Sequence, residues 1–177
     1  MTAEELLGRY AAGERDFRGV NLERADLRGA NLSPICLIEA NLRNADLSGA
    51  IMYGSGLMGA DLSNAVLKGA NLSFMGLANA NLTNADLRCA NLTATILRKA
   101  NLTHANLESA NLTDTIFEGA ELGKIKLDFA LLIGTNFEGV FFNGKEFGSG
   151  MSGIFGAFYY YTIMPDGTTL IGPEYGR

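Results

Sequence analysis

The chain has no tryptophan, one histidine, two cysteines and three prolines in 177 residues. Two cysteines exclude a disulfide framework and a cysteine-based zinc site, and one histidine leaves little for a histidine-ligated metal. Excess basic charge is missing as well. Lys and Arg number 14 against 19 Asp and Glu, a formal net charge of −5, so no strongly positive field awaits nucleic-acid phosphates. The longest apolar-rich stretch, 154–164, is interrupted by Gly156 and falls far short of the roughly 20 residues that span a bilayer. The start Met1-Thr2-Ala3-Glu4-Glu5 is acidic, unlike the basic n-region of a signal peptide. A soluble, cytoplasmic protein is expected. What is abundant is Gly, at 22 residues, within a chain that is 47% hydrophobic; that combination suits neither a helical bundle nor a disordered chain.

The abundance is periodic. Every fifth residue from Phe17 to Phe147, 27 positions in all, is Leu, Phe or Met. Two residues before each sits a small residue, Ala in 16 of the 27, and the position between is Asn or Asp in 15. A step of five rotates a helical stripe by ~140° and sends strand side chains to alternate faces, so the chain must bend once per repeat. The small residue and the Leu then point inward, Asn or Asp points away, and the last two positions turn the corner. Gly holds the final position in 10 pentads and Asn in 4 more, as a turn with positive φ favours. Most exceptions at the small position recur every twenty residues: Ile35, Ser55, Met75, Thr95, Thr115 and Thr135. Four pentads per coil follow, giving an all-β square solenoid about 32 Å long at ~4.8 Å per rung.

Units such as Ala80-Asn81-Leu82-Thr83-Asn84 and Ala85-Asp86-Leu87-Arg88-Cys89 resemble the pentapeptide-repeat proteins, over residues 15–147. The resemblance implies a right-handed quadrilateral β-helix of about seven coils. It also implies a functional alternative, because some members imitate duplex DNA and bind DNA gyrase, conferring quinolone resistance or toxin immunity. Here residues 1–100 carry 10 acids and 10 bases, whereas 101–177 carry 9 acids and 4 bases. The field of a DNA mimic is therefore confined to one half.

Candidate chemistry is sparse. His104 is alone on a corner position, and Cys36 and Cys89 lie on different faces more than two coils apart. The freely exchanged Asp and Asn of the ladder suit hydrogen bonds to turn backbone better than catalysis or metal binding. The Asn-Leu-Thr sites are the repeat in phase, and the Thr ranks suit β corners. No catalytic residue, cofactor or metal is expected, and the chain reads as non-enzymatic. A protein partner of unidentified kind is expected, with homodimerisation open, no direct nucleic-acid binding and no membrane insertion. Its contact edge is predicted at Pro34, Ile38, Tyr53, Met58 and Phe74, corner residues that the twenty-residue coil gathers over three coils, with Ile51, Ile96 and Ile116 adjoining.

The flanks complete three segments: 1–13, 14–147 and 148–177. Thr2-Ala3-Glu4-Glu5 matches a capping box and Gly13 suits a helix end, so a helix is expected to cover the first coil with Leu6, Leu7, Tyr10 and Ala11. After Phe147 the period ends. Residues 157–172 read as a β-hairpin around Pro165-Asp166-Gly167, with Tyr159, Tyr160 and Tyr161 in its first strand. Thr162–Thr168 resembles C-terminal segments of cyanobacterial pentapeptide-repeat proteins. Together with Phe155 and Phe158, the three tyrosines form either a cap or a docking and dimerisation element.

Overall fold

Each pentad brings five backbone N–H groups that need acceptors, and residues 81–85 show where they go. Asn81 N donates to Ala60 O at 2.9 Å, Leu82 N to Asn101 O at 2.7 Å and Asn84 N to Thr103 O at 3.0 Å. These bonds tie each rung to the rungs before and after it. Ala85 N closes the corner on Leu82 O at 3.0 Å. One N–H remains, that of Thr83, and the Asn81 side chain accepts it at 3.1 Å. That is why Asn and Asp interchange at this position: either supplies the oxygen. The computed structural model describes residues 1–140, 157–171 and 174–175, and within it the pattern repeats as parallel bridges between residues twenty apart, from Asp16–Cys36 to Ile116–Asn136. Four such ladders run side by side, one for each pentad of the coil.

The interior is built from the two inward positions. The Leu or Phe column and the Ala column are buried together as one core, each fully buried Leu contributing about 1.5–3 kcal/mol. Phe117 stacks on Phe137 with ring centroids 5.1 Å apart. The polar residues at inward positions bond internally: Thr95, Thr115 and Thr135 donate to the carbonyls of Leu72, Leu92 and Leu112 at 2.7–2.8 Å. Corners take positive φ, near 58° at Asn64, Asn79 and Asn84. At Gly134, with φ +64°, a Cβ would also meet the Asp114 carboxylate and oblige that side chain to shift.

Helix α1 spans Ala3–Ala11, with the Thr2 hydroxyl accepting from Glu5 N at 3.1 Å. Leu6 is fully buried on the first coil, and Met1, Ala3 and Tyr10 pack beside it. Leu7 and Ala11, expected on that surface, instead face solvent. Each follows an inward residue by one position, about 100° further round the helix.

The C-terminal segment also differs from expectation. Strand β1 (Leu131–Ile133) pairs in parallel with β2 (Phe158–Tyr160), which pairs antiparallel with β5 (Glu174–Tyr175). The hairpin is shorter than expected, joining β3 (Thr162–Ile163) to β4 (Thr169–Leu170). Tyr159 and Tyr160 thus lie in β2, outside the hairpin, and Tyr161 is the corner between β2 and β3, at φ 50°. Leu131 pairs with Phe158 and Asn136 with Ile163, an offset of 27. The segment therefore re-enters the ladder register after seven extra residues and lays part of a further rung on the last coil. Thr162 donates to Leu132 O, the same bond that Thr135 makes to Leu112 one rung below. Phe155 lies outside the described residues.

Candidate functional site

Three of the four outward columns keep Asn or Asp on most rungs. The fourth reads Cys36, Gly56, Gly76, Ile96 and Ile116 before reaching Asn136. None of those five side chains offers the oxygen that accepts the corner N–H. Among the described residues, the N–H groups of Ile38, Met58, Ala78, Arg98 and Glu118 consequently have no acceptor. This face is apolar along its centre and lined on one edge by free backbone donors.

The predicted edge residues frame this face. Ser33-Pro34, Tyr53-Gly54 and Ser73-Phe74 form successive corners on one side of the column, and Ile38-Glu39, Met58-Gly59 and Ala78-Asn79 form those on the other. Tyr53 and Phe74 touch, with ring centroids 5.3 Å apart and planes tilted by 59°, and are 51% and 57% exposed. Met58 and Pro34 are exposed as well, and Ile38 is half-buried. Ile96 extends the face as an exposed residue and Ile116 as a half-buried one, whereas Ile51 projects from the neighbouring column, between Asn31 and Asn71. Sequence reasoning found the corner residues but missed Gly56 and Gly76, which lie between them. The available signal was the missing Asn or Asp every twenty residues.

Three exposed aromatics share an unusual backbone state. Phe74, Phe129 and Tyr161 have φ of 58°, 58° and 50°, in the left-handed region that bulky residues avoid. The corner imposes this φ on other residue types as well, as at Asn64 and Gly54, and the surrounding rungs hold it there.

The remaining candidates find structural roles. His104 turns a corner at φ 64°, and both cysteines are free thiols. Hydroxyls of Ser73, Thr83, Thr93 and Thr113 donate to the Asn of their own pentad at 2.6–2.7 Å. Arg18, Arg28 and Arg88 each grip the aspartate two residues earlier, at 2.7, 2.6 and 2.6 Å. The Arg28 guanidinium holds the Asp26 carboxyl down at about 2, and Arg18 and Arg88 lower Asp16 and Asp86 in the same way. Among the described residues no three His, Cys, Asp or Glu side chains gather as a metal site, and no helix is long and apolar enough to cross a membrane. In the tail, Phe158 and Tyr160 are half-buried, and the Tyr160 and Tyr161 rings meet edge to face at 4.4 Å.

A family model described as pentapeptide repeats matches in eight copies, over residues 16–33, 35–73, 77–114 and 110–144. Among solved structures, HetL is a pentapeptide repeat protein involved in heterocyst differentiation regulation from the cyanobacterium Nostoc sp. strain PCC 7120. It aligns at 25% identity over 96% of this chain and 100% of its own, with a TM-score of 0.44. Rfr23, a pentapeptide repeat protein from the cyanobacterium Cyanothece 51142, is 32% identical over 73% of this chain and 82% of its own, with a TM-score of 0.24. A trypsin-treated form of QnrB1, a plasmid-mediated fluoroquinolone resistance protein, aligns at 19% identity over 89% of this chain and 88% of its own, with a TM-score of 0.54; that likeness is one of fold. No curated protein matches the chain.

Proposed function

This chain belongs to the pentapeptide-repeat family, and from that premise we propose that it is a non-enzymatic protein-binding or scaffold protein whose contact surface is the apolar face framed by Pro34, Ile38, Tyr53, Met58 and Phe74. Members of the family are generally structural or binding proteins. The observation that carries the reading is the conversion of one outward column from Asn and Asp to Cys36, Gly56, Gly76, Ile96 and Ile116. Loss of the polar ladder side chain on successive rungs leaves a contiguous apolar strip beside the exposed Tyr53, Met58 and Phe74, and contiguous exposed apolar surface marks a contact site. The proposed architecture is a right-handed quadrilateral β-helix of about seven coils over 14–147. The helical segment 1–13 closes one end and the aromatic segment 148–177 closes or docks the other. The ladders of period twenty and the parallel pairing of β1 with β2 support it.

The test is affinity capture from the native host with the Tyr53→Glu/Met58→Glu double variant as control. The reading expects captured proteins to be lost while the melting temperature is kept; an unchanged partner set overturns it. A second reading, a DNA-mimicking inhibitor or protector of DNA gyrase, is favoured by the excess of 9 acids over 4 bases in residues 101–177. Inhibition of gyrase supercoiling would support it, and no inhibition at large molar excess removes it. Arg28, Lys68 and Arg88 share one corner with Glu108 and Asp128 and break the acidic field, so the scaffold reading is the stronger.

A further inference from the structure

We propose that the occupant of the apolar face is a second copy of this chain, packed face to face and antiparallel about a two-fold axis passing between the rungs of Gly56 and Gly76. The inference rests on the reading of that face as a contact surface and names its partner.

The glycines mark the centre. Neither has the left-handed φ that calls for glycine, and a Cβ on Gly56 or Gly76 would only touch Ile38 Cγ1 at 3.9 Å or Met58 Cγ at 3.8 Å. The fold alone would accept a side chain at either position. What their bareness provides is close approach of another backbone. A two-fold axis between these rungs sets Gly56 opposite the partner's Gly76 and Cys36 opposite the partner's Ile96. The wall of Tyr53 and Phe74 meets the same wall of the other copy, as an isologous interface requires.

The charges select this arrangement. Along the corner that carries Met58 and Ala78, the rungs bear Arg18, then Glu39, then two uncharged rungs, then Arg98-Lys99, then Glu118. Read outward from the axis, the signs on one side are negative then positive, and on the other positive then negative. The two-fold axis lays the series on its own reverse, so Glu39 meets the partner's Lys99 and Arg18 meets the partner's Glu118. All four residues are exposed. Arg98 is held by Glu118 at 2.9 Å, while its backbone N–H has no acceptor among the described residues and lies on the corner that the partner's Glu39 faces. A parallel pair would set Glu39 and Lys99 against the uncharged Pro34 and Ala94 corners, Glu118 against the partner's Asp114, and Arg18 against the partner's Glu14, which Arg9 already holds. At the rim, Ile116 meets the partner's Arg18–Asp16 pair, where the apolar contact ends. From the rung of Asp16 to that of Ile116 the face is about 24 Å tall, and association in the micromolar range is expected.

Sedimentation velocity over about 5–200 µM tests this. The wild-type chain should show a concentration-dependent monomer–dimer equilibrium. Glu39→Lys and Lys99→Glu, both on exposed corners, should each weaken it by about tenfold or more through like-charge contacts. Mixing the two single variants should restore a dimer, because both charge contacts are then complementary. A wild-type chain that is monomeric throughout overturns the proposal, as does a mixture that stays as weak as the single variants. If the chain is monomeric and Tyr53→Glu/Met58→Glu still loses a captured protein, self-association is wrong and the contact surface stands. If that variant also keeps its partners, both fail.

Discussion

At the scale of the residue, the pentad works because one side-chain oxygen closes its hydrogen-bond accounting. Asn81 accepts the N–H of Thr83 at 3.1 Å, Asp46 accepts that of Ser48 at 2.9 Å, and the choice between amide and carboxylate is left to the surface charge. This role was legible in the sequence, since exchange of Asp with Asn is tolerated by a hydrogen bond and by little else. Phe74 illustrates a residue kept against local preference. Its left-handed backbone is strained and its ring is exposed, so Phe74→Gly should leave stability unchanged or raise it by up to about 1 kcal/mol while weakening association. Thermal unfolding checks it; a loss above about 1 kcal/mol would make Phe74 a stability residue instead. The aspartates give a pH signature. Asp26 is held at about 2, below its ordinary 3.8, so its contribution is full above the ordinary value and is lost as pH falls through the folded value. The melting difference between wild type and Asp26→Asn should therefore be constant near neutrality and shrink between about pH 4 and 2. A difference that grows on acidification would contradict the sign.

At the scale of the element, the ends were only partly legible. The helix was evident from Thr2 and Glu5, but which of its apolar residues face the coil depends on a rotation that one exposed Leu and one exposed Ala cannot reveal. The C-terminal segment was harder. Its seven extra residues break the five-residue count, and strands of two or three residues carry no period of their own. Only the structure shows that Tyr161 takes the corner that Gly134 holds one rung below, and that Thr162 repeats the inward hydroxyl of Thr135. The segment thus supplies main-chain partners to the β1 rung, with Gly134 N donating to Tyr160 O at 2.8 Å and Phe137 N to Ile163 O at 2.9 Å. Truncation after Gly150 should then lower the melting temperature by several degrees, as uncovering both a sheet edge and the core end must. A scan by calorimetry that finds an unchanged midpoint with altered association would instead make the segment a docking element.

At the scale of the whole molecule, folding and contact are assigned to different columns. The inward Leu and Ala columns hold the stack together, and three outward columns keep their ladder oxygens on most rungs. The fourth gives them up on the rungs from Cys36 to Ile116. The period of twenty that organises the solenoid was readable from the exceptions at Ile35 through Thr135; that the same column departs from Asn and Asp on its outer side was equally present in the sequence, and was obscured there because a lone Gly or Ile reads as a neutral substitution. Net charge, −5 over the chain, says less than its distribution along one corner. The most direct test is amide hydrogen exchange by NMR at Ile38, Met58, Ala78, Arg98 and Glu118. In dilute solution these N–H groups should exchange faster than the Asn-bonded ones of Thr83, Thr93, Thr103 and Thr113, and they should gain protection at concentrations where the chain associates. Equal protection on all four faces, with no change on association, would contradict the account.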